Sequence, residues 1–170
     1  MGICAEELRE YVIEPTLQHL GVWSEGAENL LMATAAQASG LGFHLLNKRG
    51  RSFGIFQISS NCHLNIWDQY LVQNPDLASN VRGLASQHEF LSHPHAELAT
   101  NLSYATAMAW MVYQRCPESL PEASDIEGMA EYWTKHWGKP RNRRFRCVRK
   151  EEFMSNYRKF FGHRRASVAA

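Results

Sequence analysis

The spacing of apolar residues along most of the chain follows the repeat of an amphipathic α-helix. Over residues 24–39, Leu30, Thr34 and Ala38 fall on one stripe, with apolar or small side chains beside it. Ser24 is a residue type favoured at the N-cap, and the acids that follow it suit the first turn of a helix. The pattern predicts a central, buried helix that ends at about residue 39, before a glycine turn.

The same kind of periodicity, together with capping residues, predicts helices along the rest of the chain. Pro15 is expected to divide the first of them, because proline lacks an N–H donor and crowds the preceding turn. Ser124 and Glu127 form a capping box in front of another. The predicted helices cover residues 5–20, about 66–71, about 75–91, about 96–115, 126–137 and 151–161.

Between the glycine turn and residue 66 the helical pattern is interrupted. Gly54 to Ser59 reads GIFQIS, where β-branched and aromatic residues over a few positions predict one or two short strands. The sequence therefore predicts a mostly α fold, with six to eight helices around a small β element near residues 44–59. We expect one domain over residues 1–163 and a loose tail over residues 164–170.

Composition favours a folded, soluble protein. A chain of 170 residues, of which 45% are hydrophobic, can bury a single core, so disorder is not expected for most of it. No window reaches the roughly 18 apolar residues of a membrane span, and the N-terminus has acids where a secretory signal has basic residues. We therefore expect no membrane span, no signal peptide and synthesis in a cytoplasm.

Charge is distributed unevenly along the chain. Residues 139–170 carry 11 of the 18 Lys and Arg residues against Glu151 and Glu152, a net charge of +9, and the remaining residues carry −8. Such a basic segment, here residues 139–165, is commonly a solvated face. It also suits nucleic acid, an acidic envelope polymer or an acidic partner protein. The arginines that would form this basic patch are Arg141, Arg143, Arg144 and Arg146.

Neither a cofactor nor a metal is expected. His63 lies beside Cys62, and three more histidines occur in HEFLSHPH, residues 88–95. Their spacing matches no ligand pattern that we recognise for zinc.

Four features of the sequence occur in the order found in lytic transglycosylases of the lysozyme-like superfamily. They are a central helix ending in x-Ser-Gly, the segment GIFQIS sixteen residues on, a long helix opened by Asn101, and Tyr132 in AEYW. Over about residues 7–160 the chain resembles these enzymes, and it is most similar to the short transglycosylase-like proteins of phages and prophages. The resemblance implies a lysozyme-like fold and the glycan strand of peptidoglycan as the substrate.

The residue that this resemblance places at the catalytic position is Ala38. In the family the central helix ends in Glu-Ser, and a carboxyl group in an apolar pocket there has a raised pKa and protonates the leaving oxygen. A methyl group cannot donate a proton, so the chain as it stands is expected to be inactive. Asp68 and Glu89 are predicted to be surface acids that do not replace the missing group.

The resemblance also implies roles for the residues around this position. Ser39 would contribute to substrate binding, and Gln57 would lie across the cleft, where the family positions an N-acetyl group. Asn101 would brace the catalytic helix, and Tyr132 would lie near the scissile sugar. The sequence equally allows Gln57 to be a loop hydrogen-bonder, Asn101 a helix-start residue and Tyr132 a core residue. Trp133 stands where the family commonly has asparagine, and it is expected to contact substrate.

The sequence is compatible with several functions. The first is a peptidoglycan-acting domain of phage type whose acid is missing, through either inheritance or engineering, and which is made in the cytoplasm of a bacterial host. The second is a non-catalytic virion or tail protein on the same scaffold, which contacts DNA or other virion proteins through its basic C-terminus. A third is a glycan binder that uses aromatic walls, including Trp133, without cutting. In the virion-associated case the protein would be delivered to the cell envelope.

Overall fold

A computed structural model describes residues 2–46, 51–137 and 143–161, with residues 143–148 described by their backbone only. This part of the chain is mostly helical and contains one two-stranded sheet, which confirms the predicted mostly α class. Two π-helical segments, Arg9–Ile13 and Ile66–Tyr70, and one 3₁₀ segment, Leu71–Gln73, interrupt the α-helices. The α-helices are α1 Ala5–Leu8, α2 Glu14–His19, α3 Glu25–Ser39, α4 Ser60–Asn65, α5 Pro75–Gly83, α6 Gln87–Ser92, α7 Glu97–Thr100, α8 Leu102–Gln114, α9 Ile126–His136 and α10 Arg143–Phe161; the strands are β1 Ser52–Phe53 and β2 Ile58–Ser59.

Helix α3 is the central buried helix that the sequence predicts, and both of its ends are confirmed. The Ser24 hydroxyl accepts a hydrogen bond from the Ala27 N–H at 3.1 Å, which caps the first turn. At the other end Gly40 adopts a left-handed conformation, φ 61°, and its N–H and that of Leu41 bond to carbonyls of the last turn. Most side chains of α3 are buried, because α8, α9, α10 and the first π segment all pack on it.

Pro15 changes the type of helix but does not interrupt it. The chain runs through α1, the π segment Arg9–Ile13 and α2 with helical backbone at each junction. The Glu14 N–H bonds to the carbonyl of Arg9, five residues back, and Pro15 follows in the first turn of α2. The π-helical turn, which is wider than an α-helical turn, thus comes directly before Pro15, which has no N–H to donate.

Three predicted helix boundaries are wrong. The helix predicted over residues 75–91 ends at Gly83, and α6 starts after Ser86, whose hydroxyl accepts from the Glu89 N–H at 3.2 Å. The helix predicted over residues 96–115 is divided at Asn101, where the backbone is extended. The last helix begins at Arg143, eight residues before the predicted start at 151.

The predicted capping box in front of α9 is also wrong. Asp125, not Ser124, is the N-cap, and its carboxylate accepts from the Gly128 N–H at 2.8 Å. Asp and Ser are similarly good caps, and they are adjacent in the sequence, so the pattern alone does not separate them.

None of the helices in the described part of the chain is both long enough and apolar enough to cross a membrane.

A buried ion pair joins the first π segment to the start of α3. The guanidinium of Arg9 contacts the Glu28 carboxylate and also donates to Asn29 Oδ1 at 3.0 Å, and both charged side chains are less than 10% exposed. Trp23 Nε1 donates to the other carboxylate oxygen at 2.8 Å. The pair is well supported by hydrogen bonds, so breaking it from one side leaves a charge without its counter-ion.

Arg9→Met is expected to lower the free energy of unfolding by about 3–5 kcal/mol, because the Glu28 carboxylate then stays buried without its counter-charge. The double variant Arg9→Met with Glu28→Gln should recover part of the loss. Lys150→Met is the matched control: Lys150 binds Glu127 and Glu131, whose side chains are exposed, and its loss should cost at most about 1 kcal/mol. Urea denaturation of the three variants measures the effect. Equal losses in Arg9→Met and Lys150→Met would contradict the prediction.

Candidate functional site

The turn after α3 is held in an unusual left-handed conformation over three consecutive residues. The φ angles of Gly40, Leu41 and Gly42 are 61°, 57° and 82°. Leu41 adopts this conformation despite its side chain, which is 2% exposed. Its carbonyl accepts from the Ile3 N–H at 2.8 Å, and its own N–H bonds to the Ala35 carbonyl at 3.2 Å. Contacts on both sides therefore fix the direction in which the chain leaves α3.

The Ser39 hydroxyl connects the end of α3 to the GIFQIS segment. It donates to the Ile55 carbonyl at 2.5 Å and accepts from the Gly42 N–H at 2.8 Å. Ser39 is 5% exposed, so its hydroxyl is used inside the protein. The expectation that Ser39 binds substrate is therefore wrong: this serine joins the two segments of the predicted site, which are sixteen residues apart.

The segment GIFQIS forms a tight turn that leads into β2. Strands β1 and β2 pair antiparallel, with Ser52 opposite Ser59 and Phe53 opposite Ile58. Gln57 has a left-handed φ of 52°, and its N–H bonds to the Gly54 carbonyl at 3.1 Å. The prediction of one or two strands is thus confirmed only for the last two residues of the segment, since the others form the turn.

The Gln57 side chain holds the turn together by hydrogen bonds and also lines a surface groove. Its Nε2 donates to the carbonyls of Gly54 at 2.8 Å and His44 at 3.1 Å, which uses both of its hydrogens. Within the described residues no hydrogen bond reaches its Oε1. Gln57 is partly exposed, and its acceptor is the atom that remains for a ligand.

This groove has a volume of about 360 Å³ and lies between β2, α4 and the C-terminal ends of α8 and α9. Most of its lining residues have polar side chains, and one is a tryptophan. Sequence reasoning found only Gln57 among these residues. The others come from separate elements, although Asn61 and Asn65 are four residues apart on α4, a spacing that could have indicated a shared face. The lining residues are Gln57, Ile58, Ser59, Asn61, Cys62, Asn65, Val112, Arg115, His136 and Trp137.

Ala38 lies on the last turn of α3 and is partly exposed, so it is not sealed in the core. It is not among the residues that line the groove. The residue before it, Gln37, bonds to Glu152 at 3.3 Å and Asn156 at 2.5 Å, which fixes the adjacent part of α3 against α10.

Tyr132 lies behind the groove. It is 6% exposed, its hydroxyl donates to the Glu118 carbonyl at 3.2 Å, and its ring centroid is 4.4 Å from that of His136. Burial is the main reason that the pKa of Tyr132 is raised, with smaller contributions from Cys116 and Glu118. Tyr132 thus supports His136, the residue of α9 that lines the groove.

Trp133 is a core residue. It is 2% exposed, and its ring packs on Phe153 of α10 with the centroids 5.4 Å apart. The expectation that Trp133 contacts substrate is therefore wrong, because residues 132 and 133 are both turned inward on α9. The aromatic residue that lines the groove is Trp137, one helical turn later.

Asn101 opens α8, as the sequence predicts. Its Oδ1 accepts from the Tyr104 N–H at 3.0 Å, and its Nδ2 donates to the Leu84 carbonyl at 2.8 Å and to Glu97 at 3.0 Å. These bonds tie the start of α8 to α7 and to the turn after α5. A direct brace between Asn101 and α3 stays a prediction.

Asp68 and Glu89 lie on the surface, as predicted, since both side chains are exposed. Among the described residues, two carboxylates that were not identified from the sequence are buried. Glu28 is paired with Arg9, and Glu97 accepts from the Ser86 N–H and hydroxyl and from Asn101. Each of them has structural partners, so neither is available in this arrangement as a proton donor to a ligand.

The predicted basic patch falls largely outside the described residues. Arg141 lies beyond them, and for Arg143, Arg144 and Arg146 only the backbone of α10 is described. One neighbouring cation is engaged within the protein: Lys150 Nζ contacts Glu127 at 2.8 Å and Glu131 at 2.7 Å. Part of the basic segment therefore neutralises acids of α9.

A second polar cluster, away from the groove, is buried between α4 and α8. His63 Nε2 lies 2.6 Å from the Tyr104 hydroxyl, and His63 Nδ1 lies 2.9 Å from His95 Nδ1. Trp67 Nε1 can only donate, and it does so to the Tyr104 oxygen at 2.9 Å. If the Tyr104 hydroxyl donates to His63 Nε2, then His63 donates through Nδ1 to His95. This set of donors requires a neutral His63, and burial, with a smaller contribution from His95, lowers its pKa to about 4.

Stability is expected to fall as the pH drops from about 6.5 to about 4, the ordinary and the folded-state pKa of His63. In this window the unfolded chain binds a proton at His63 and the folded chain does not, so acid favours unfolding by roughly 3 kcal/mol in total. His63→Gln removes this titration, and its free energy of unfolding, measured by urea denaturation at several pH values, should depend less steeply on pH. A variant with the same slope as the parent would contradict the prediction.

Comparisons with known proteins assign the chain to no family. The chain matches no protein-family model, and neither a curated protein nor a solved structure matches it significantly. Among the described residues, no group of three or more His, Cys, Asp or Glu side chains is placed to hold a metal ion.

Proposed function

We propose that this protein is a peptidoglycan-acting domain of the lysozyme-like, lytic transglycosylase type found in phages, and that it lacks its general acid because Ala38 occupies the glutamate position. The observation that carries the proposal is the link through Ser39. A helix ending in x-Ser-Gly is bonded to a GIFQIS turn, and Gln57 of that turn lines a groove. Two of the four sequence features that resemble the family are thus neighbours in space.

The lining of the groove suits a sugar chain. Amide side chains, Gln57, Asn61 and Asn65, can exchange hydrogen bonds with hydroxyl and N-acetyl groups, and Trp137 offers an aromatic surface for a sugar ring. Ligand sites of this size commonly combine apolar surface with a few convergent polar groups. A glycan strand lying in this groove would pass the turn that Ser39 holds against α3.

Ala38 explains why the chain as it stands would bind without cutting. Cleavage of a glycosidic bond needs a proton on the leaving oxygen while positive charge develops on the sugar. In a lytic transglycosylase one carboxyl group donates that proton and then accepts one from the muramic 6-hydroxyl, so a single residue serves both steps. The methyl group of Ala38 can serve neither, and the buried carboxylates Glu28 and Glu97 are already bonded.

The test is to restore the acid. The Ala38→Glu variant, incubated with purified peptidoglycan sacculi, should release soluble anhydro-muropeptides that the parent chain does not release. Mass spectrometry identifies the anhydro end, which distinguishes this reaction from hydrolysis. A folded Ala38→Glu variant that releases no fragments would overturn the proposal.

A further inference from the structure

Arg115 is a cation in the groove that no acid of the described residues balances. It is partly exposed and is the C-cap residue of α8. Its guanidinium donates to Asn65 Oδ1 at 2.8 Å, and in the described part of the chain no carboxylate pairs with it. A guanidinium has five N–H donors in a planar fork, so most of its hydrogen-bonding capacity remains for other groups.

The other ionisable groups at this end of the groove already contact one another. His136, which also lines the groove, has Nε2 at 3.1 Å from a carboxylate oxygen of Glu118. Lys135 contacts the second oxygen of the same carboxylate. These contacts, first the bond from Lys135 and then that from His136, lower the pKa of Glu118 and keep it charged. Glu118 is therefore committed to α9 and does not balance Arg115.

The position of Arg115 at the end of α8 explains why a cation is tolerated there but not what it binds. The macrodipole favours positive charge at a helix C-terminus, a contribution that a lysine would make equally well. The bond to Asn65 of α4 holds the guanidinium at the wall of the groove. A planar fork held in this way matches a carboxylate, with which it can form two parallel hydrogen bonds.

We propose that Arg115 recognises a carboxylate of the ligand, so that the groove selects a carboxylated glycan over a neutral one. This inference rests on the proposed function, and it makes N-acetylmuramic acid units with a free lactyl carboxylate, that is, units without a peptide stem, the class of sugar that the groove favours. Arg115 is a specificity-determining residue in this arrangement. The amides and Trp137 contact the features that neutral and carboxylated sugars share.

The test compares two glycans of equal length by calorimetric titration. One is a neutral N-acetylglucosamine oligomer, and the other alternates N-acetylglucosamine with N-acetylmuramic acid bearing free lactyl carboxylates. The parent chain should bind the carboxylated glycan about tenfold more tightly, as expected for one charge-assisted pair at a partly exposed site. Arg115→Gln should remove this preference, so that the two glycans bind with the same affinity. Arg115→Lys, which keeps the charge but not the fork, should retain only part of it.

The control is Arg158→Gln, which removes an exposed cation of α10 and should leave both affinities unchanged. Equal affinities of the parent for the two glycans would overturn the role of Arg115 while leaving the proposed function in place. The role of Arg115 would also be overturned if Arg115→Gln weakens the binding of both glycans equally, since Arg115 would then be needed for the shape of the groove. If the parent binds neither glycan, this inference is overturned, and the cleavage assay of Ala38→Glu decides the proposed function separately.

Discussion

Ala38→Glu is expected to change the chain from one that leaves peptidoglycan sacculi intact into one that releases anhydro-muropeptides. General acid–base assistance by a placed side chain contributes roughly 10²- to 10⁴-fold to a rate, and no other residue that we identify supplies it here. The change is therefore expected to raise the rate of fragment release by at least that factor. Position 38 is partly exposed at the end of α3, so a longer side chain can be accommodated without entering the core.

Two matched substitutions separate chemistry from shape. Ala38→Gln has nearly the size of glutamate but no acidic proton, and it should remain inactive. Ala38→Asp retains the acid but shortens its reach, and it should be weaker than glutamate. Activity of the glutamate variant should also decline as the pH rises through the pKa of the new side chain, because only the protonated form is a donor. Equal activity of Ala38→Gln and Ala38→Glu would contradict the assignment of an acid to this position.

The same substitution carries a cost for stability. A negative charge in the last turn of a helix opposes the macrodipole, which typically costs about 0.3–1 kcal/mol. Ala38→Glu should therefore unfold at slightly lower urea concentration than the parent, and Ala38→Gln should not show this electrostatic loss. This measurement also shows that both variants are folded when they are assayed.

Gly54→Ala is expected to be the most damaging single methyl group added to the region that the structure describes. A Cβ at Gly54 would lie 1.6 Å from the Leu98 carbonyl oxygen and 2.6 Å from its carbon. The backbone of the turn would have to move away from α7, and the φ of 74° adds a further penalty for any residue with a side chain. We expect a loss of more than about 4 kcal/mol in the free energy of unfolding, measured by urea denaturation.

Substitutions at two other glycines separate the steric clash with Leu98 from the conformational penalty of a positive φ. Gly21 has a φ of 69°, but a Cβ added there would meet no other group of the described residues within 4 Å, so Gly21→Ala measures the conformational penalty alone, about 1–2 kcal/mol. Gly83, at the end of α5, has neither a positive φ nor, among the described residues, a close neighbour. Gly83→Ala should therefore leave stability unchanged or raise it by up to about 1 kcal/mol. Similar losses in Gly54→Ala and Gly21→Ala would show that the approach to Leu98 is unimportant.

Local signals predicted the parts of the fold that local interactions determine. Ser24 and Gly40 mark the ends of α3 because capping depends on neighbouring residues, and both predictions are confirmed. The pairing of Arg9 with Glu28 was not predictable in this way, since it joins residues that are far apart in the sequence and depends on how the first helix packs. The break between Gly83 and Ser86 did have a local signal, a glycine followed by a good N-cap residue, but continuous apolar spacing concealed it.

The candidate site was predicted in part for the same reason. Gln57 was found because it belongs to a motif, and it does line the groove. Arg115, His136 and Trp137 were missed because the groove forms where three helices and a strand meet, and no single segment indicates this. Trp133 was misplaced because the sequence shows that α9 is amphipathic but does not show which aromatic residue faces the groove and which faces α10.

The joint between α3 and the GIFQIS turn is made by backbone groups and by the Ser39 hydroxyl, and the side chain of residue 38 takes no part in it. The architecture of the region and its reactivity can therefore vary independently. On the proposed function, an alanine form would keep the outline of a glutamate form and would bind the same strands. The alanine form would then act as a competitor that shields cell wall from its cutting counterpart when the two are mixed.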